Sequence, residues 1–183
     1  MRQGSVRDGS AGREAREAAV MTLTSILPTL RASLPDPLDP TLWPAVTVAT
    51  VDDVTVRAVS MQRLASVVGT PCVHTAEEAP PRYRPRDWRP REVCVTVAAV
   101  TRVRRTRGVL LVELDAVLPD CAVLAEARVI GRSSVAPAAA VTLTTNPAGT
   151  TGVDAVLPAD VEVGDLVCFP CRRAVAHRDV AVR

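Results

Sequence analysis

Residues 93–118 constrain the fold more than any other stretch. They read "VCVTVAAVTRVRRT", a turn at Arg107-Gly108, and then "VLLVELDAVL". Two valine-rich runs meeting at an Arg-Gly turn predict a strand, a tight turn and a second strand, because β-branched side chains suit a pleated, half-buried surface. Only 2% of the chain is aromatic while 48% is apolar, so any core must be built from Val, Ala and Leu. Fifteen prolines and nine glycines punctuate the 183 residues, which favours many short elements over long helices. The length is enough for one domain with a real core. The expected fold is mainly β, a small barrel or sandwich with one or two short helices near the N-terminus.

Upstream, residues 1–20 read as a disordered N-terminal extension, with Met1 or Met21 as the start. They lack the apolar core of a secretory leader, and no apolar run reaches the length of a membrane span. A cytoplasmic protein with no membrane attachment is expected. "MTLTSILPTLRASLPDP" has the pattern of one or two helical turns ended by Pro35 and Pro37. Residues 45–51 and 54–59 alternate around Asp52-Asp53 as a hairpin. A short helix is expected over 60–68, with Ser60 as N-cap, Gly69 just beyond its end, and Leu64, Val67 and Val68 on its inner face. Further strands are expected at 123–131, 139–145, 151–157 and 165–169, and residues 176–183 as a tail.

Composition excludes one chemistry outright. The chain has no lysine, and all 22 basic residues are arginine. A lysine Schiff base, and with it a covalently held pyridoxal phosphate (PLP), cannot form on this polypeptide. Five cysteines lack the spacing of a disulfide framework and are expected as buried thiols. Cys168-Phe169-Pro170-Cys171 is a C-x-x-C, but it closes a strand pattern instead of opening a helix, so neither redox nor metal chemistry is expected of it.

Residues 82–107 hold nine arginines against Asp87 and Glu92, with Tyr83 and Trp88 interleaved. Phosphate contacts and base stacking could use such a set. Pro80 and Pro81 precede it and Pro85 and Pro90 break it, however, and no nucleic-acid motif surrounds it, so a solvated linker, or one paired with an acidic partner surface, is expected instead. The carboxylate pairs Asp52-Asp53 and Glu77-Glu78 and the group Asp160, Glu162 and Asp165 fall in turns or alternating runs, where acids face solvent. Neither histidine has a nucleophile partner in a recognised arrangement.

The order of segments adds a resemblance. "LWPAVTVATVDDVTVRAVSMQRLASVVGTPCVHTAEEA" resembles the N-terminal segment of the fold-type III PLP-dependent decarboxylases, the diaminopimelate, ornithine and arginine group. There an "LWP", a strand pair and a helix ending in "GTP" lead into the catalytic barrel. "VCVTVAAVTRVRRTRGVLLVELDAVLPD", "ARVIGRSS" and "VLPADVEVGDLVCFP" are similar to successive parts of that family's C-terminal β-domain, which is like the C-terminal domain of alanine racemase. Together these stretches cover most of residues 26–170.

The resemblance implies a single β-domain at 21–175, made of an N-terminal segment (21–72) and a C-terminal part (92–175). A Pro/Arg-rich linker at 73–91 stands where the family has its barrel. The family's functional positions are not retained. The Cys-Glu-x-x-Asp motif falls on 145–149, "TNPAG", and the tyrosine that holds PLP falls in Arg173-Ala174-Val175. The glycines of "VDGGMSD" fall on Ala116 and Val117, while Asp115 and Asp120 survive.

The expectation is therefore a decarboxylase-like pseudoenzyme: a binding, accessory or dimerisation module that uses no cofactor. Its implied partners are a second copy of itself or a full-length fold-type III decarboxylase. A repurposed cofactor-independent cyclase or isomerase with a small apolar ligand is the alternative, and its chemistry would fall to Asp115, Asp120 or His74.

Overall fold

Among the described residues the longest element is a single strand, β5, running from Glu92 to Thr106. Everything else is arranged around it. The computed structural model describes residues 34–106, 108–145 and 152–182. The expected N-terminal extension, the helical turns before Leu34 and residues 146–151, which include all but the first residue of "TNPAG", lie outside the described residues.

The described residues form ten strands in chain order: β1 (Thr47–Ala49), β2 (Val54–Val56), β3 (Val59–Ser60), β4 (Cys72–Glu77), β5 itself, β6 (Val109–Leu114), β7 (Arg128–Ile130), β8 (Ala138–Thr144), β9 (Val153–Pro158) and β10 (Leu166–Cys171). Helix α1 spans Met61–Val68, a 3-10 turn spans Leu124–Glu126, and α2 spans His177–Val180. Strands β1–β3 form a small meander, and the other seven form one sheet in the order β7-β10-β5-β6-β8-β9, with β4 added to β5. The sheet curls into a half-barrel, so the mainly β expectation holds at that level.

The curl follows from how β5 is shared. Its first half pairs with β10 along one edge and with β4 along the other. Its second half pairs with β6, after a register shift between Val100 and Arg102. Such a bulge bends the strand and sharpens its twist. The edge that β4 leaves at Cys72 is thus taken up by β6 at Leu114, the two strands lying end to end.

Two cores sit on opposite faces of this shared region. Cys94, Ala98, Val100, Phe169 and Cys171 face one cluster, which continues into Leu110, Val112, Leu143 and Leu157. Val95, Val97 and Cys168 face a second, built with Trp43, Val54, Val56 and Met61 of the N-terminal segment. A strand buried on both faces reads as a continuous apolar run, which accounts for "VCVTVAAV". Main-chain and side-chain bonds tie the two halves further: Gly131 N–H donates to the Asp52 carbonyl at 2.6 Å, and the Trp43 indole N–H to Glu126 at 2.8 Å.

Helix α1 starts and stops where the sequence indicates. The Ser60 hydroxyl accepts from Arg63 N–H at 3.0 Å, and Gly69 ends the helix at φ 82°. Its inner face differs from expectation. Met61 and Ala65 are buried, while Val67 and Val68 are 74% and 62% exposed. Met61 follows directly from β3, so sheet pairing sets the helix rotation; Val67 then points away and Val68 sits on the exposed last turn.

Two boundaries are also refined. Cys72–Glu77 forms strand β4, so the irregular Pro/Arg-rich segment begins only after it. The expected tail carries α2, whose Val180 is fully buried, and Ala181 just beyond it bridges to Ala116. The 123–131 run divides into the 3-10 turn and β7.

Candidate functional site

One recess lies at the seam where the half-barrel fails to close. It lies between the β1–β2 turn, β7 and the end strand β9, and holds about 210 Å³. Val54, Ala127, Val129 and Val156 supply apolar wall, and Arg128, Arg132 and Asp53 supply charge. Arg132, Arg128 and Asp53 are each already engaged. The Arg132 guanidinium donates to both Asp165 oxygens at 2.7 Å and to Asp160 at 3.2 Å. Those carboxylates hold Arg132 more firmly protonated than usual. Arg128 donates to the backbone carbonyls of Asp36 and Pro37, although its Nε is buried without a partner. Asp53 accepts from Ser60, from Gln62 N–H at 3.0 Å and from Val54 N–H at 2.8 Å. A small-molecule site more often offers about 300–1,000 Å³ with free convergent polar groups. This recess is a structural seam.

The three candidate acid–base residues do not converge. Asp115 sits at the junction of β4, β5 and β6, where its carboxylate accepts from Ala99 N–H at 2.8 Å and from the Thr70 hydroxyl at 2.6 Å. It substitutes for a backbone acceptor where one strand hands the β5 edge to another. Asp120 lies on the surface with its side chain 82% exposed, paired to Arg173. His74 is on β4, opposite Val95, with its Nε2 buried and unpartnered. Burial holds its imidazole below the usual histidine range. Among the described residues, no three His, Cys, Asp or Glu side chains come together as a metal site.

The arginine-rich stretch is split by the fold. Arg82, Arg84, Arg86 and Arg89 lie in the irregular segment before β5, where Arg84 stacks over the Trp88 ring at 4.8 Å. Arg102, Arg104 and Arg105 lie at the far end of β5. About ten residues of strand, roughly 30 Å, separate the two groups. They form no continuous surface along the chain.

The thiols are the constellation that sequence reading missed. Cys168 and Cys171 share one strand, and side chains three apart in a strand point to opposite faces. Cys168 accordingly enters the N-terminal core and Cys171 the barrel-side core. The partner of Cys171 is Cys94, directly opposite on β5. Both are buried, and a hydrogen bond from the Cys171 thiol lowers the Cys94 thiol and raises its own. Cys94 also donates toward the Arg173 carbonyl at 3.4 Å, and the Thr96 hydroxyl lies 3.7 Å from the Cys171 sulfur. The pairing depends on strand register, which no local motif encodes.

Comparison with known protein families and with curated proteins finds no match to this chain. Among the described residues, no helix is long and apolar enough to cross a membrane.

Proposed function

We propose that the chain is a non-catalytic β-domain of the fold-type III decarboxylase kind, working as a binding or dimerisation module. The carrying observation is the state of its interior. The half-barrel is filled by Val100, Leu110, Val112, Leu143, Leu157 and Phe169, each at most 5% exposed. Asp115, the innermost of the candidate acids, is spent on a strand junction. An enclosed apolar reaction chamber has no room there, which weighs against the cyclase or isomerase reading.

The segment order supports the family side of this proposal. A meander, a helix and strand β4 precede a short irregular connection, and β4 then pairs directly with the strand that follows it. That is the packing the resemblance implies for a β-domain with its barrel absent. Two features suit association: β9 ends the sheet with Val153 and Val156 about half exposed, and Arg82, Arg84, Arg86 and Arg89 have no carboxylate among the described ion pairs.

The test is light scattering on the purified chain, alone and mixed with a full-length fold-type III decarboxylase. A dimer, or a complex that raises the decarboxylase's melting midpoint, is expected. A monomer that leaves every such enzyme unchanged overturns the proposal. Turnover of a small substrate by the isolated chain would establish the enzymatic alternative.

A further inference from the structure

We infer that Cys94 and Cys171 are a latent disulfide, an oxidisable pair built into the end of the β5–β10 ladder. The two residues oppose each other in register. Directly opposed residues on antiparallel strands have Cα atoms about 4.5–5.5 Å apart. A disulfide requires about 4.4–6.8 Å between Cα atoms, so the strand register brings the two residues within its range. Both side chains enter the same core, which also holds Phe169.

No other pairing of the five cysteines has this geometry. Cys72 and Cys168 both face the N-terminal core, but they flank Val97 from opposite sides of β5. Two strand spacings separate them, roughly 9.5 Å, beyond the reach of a disulfide. Cys168 and Cys171 point to opposite faces of one strand. Cys121 is half-buried in the turn after Asp120, where its carbonyl accepts from Arg172 N–H, so its backbone neighbour is Arg172 and not Cys171.

The chemistry needs an oxidant of the hydrogen peroxide class, small and neutral enough to enter a fraying sheet end. Cys171 is the last residue of β10, so local opening of that strand end admits the oxidant to the pair. Cys94 is the more acidic thiol and loses its proton first. Its sulfur attacks one peroxide oxygen, the O–O bond breaks, and hydroxide leaves, so sulfur is oxidised to sulfenic acid as peroxide is reduced. The Cys171 sulfur then attacks the Cys94 sulfur, the S–O bond breaks, and the departing hydroxide takes the Cys171 proton as water. Two thiols and one peroxide become one disulfide and two waters.

The experiment is peroxide treatment of the folded full chain, alkylation of the remaining thiols, proteolysis and peptide mass mapping. One cross-link joining the Cys94 and Cys171 peptides is expected, leaving three of the five thiols free. Dithiothreitol should restore all five, and the oxidised chain should melt at a higher temperature. Cys121→Ala should leave the cross-link unchanged, whereas Cys94→Ser should abolish it. The peptide map of the unsubstituted chain decides the question even if Cys94→Ser fails to fold. Five unmodified thiols after native oxidation, or a cross-link through Cys121, Cys72 or Cys168, overturns the inference.

Discussion

Replacing Asp115 tests whether a carboxylate in a plausible catalytic position is structural. Its two oxygens accept from Ala99 N–H at 2.8 Å and from the Thr70 hydroxyl at 2.6 Å. Asp115→Ala removes both acceptors and leaves the Ala99 N–H facing a gap between β4 and β6. A hydrogen bond to a charged group contributes about 1.5–3 kcal/mol, and a stranded backbone donor costs about 1–3 kcal/mol. The site is half-buried, and water can replace part of the loss. The expected cost is therefore about 2–3 kcal/mol. Asp115→Asn keeps one acceptor for Ala99 and loses only charge assistance, so it should cost about 1 kcal/mol.

Urea unfolding followed by circular dichroism reads both variants, the midpoint falling at constant slope. In a thermal melt the alanine variant should drop by about 5–10 °C, at some 2–4 °C per kcal/mol for a chain of this size. A carboxylate held for chemistry behaves in the opposite way, since its removal often leaves stability unchanged or improved. An alanine variant within about 0.5 kcal/mol of the parent, or an asparagine variant as damaging as alanine, would refute the structural role.

Phe169, fully buried and the one phenylalanine of the chain, should cost about 3–5 kcal/mol as Phe169→Ala in the same urea assay. Arg132→Met strands the Asp165 carboxylate, whose side chain is 7% exposed. Breaking a buried pair costs about 3–5 kcal/mol, and the 28% exposure of Arg132 lowers the expectation to about 2–3. Adding Asp165→Leu to that variant should recover part of the loss, which a double-mutant cycle measures. His74 gives a pH signature. Its folded imidazole titrates below the unfolded value, so the unfolded chain binds more protons beneath about pH 6.5. Its contribution is complete above pH 6.5 and is lost as pH falls toward the folded value. His74→Gln should flatten the fall in stability that begins below about pH 6.5, ahead of carboxylate titration.

Local physics carried much of this fold in plain view. The valine alternation, the Ser60 cap, Gly69 and the Asp52-Asp53 hairpin each act within a few residues, where side-chain period and backbone preference decide the outcome. The absence of lysine excludes a lysine Schiff base on this polypeptide whatever the fold. What the tertiary structure decided is everything that depends on which strand lies beside which. "VCVTVAAV" is buried on two faces because the N-terminal segment covers one of them. Asp115 became a strand junction because β4 and β6 share an edge of β5. Cys171 met Cys94 instead of Cys168 because residues three apart in a strand diverge, while a partner distant in sequence, set by ladder register, lies directly opposite.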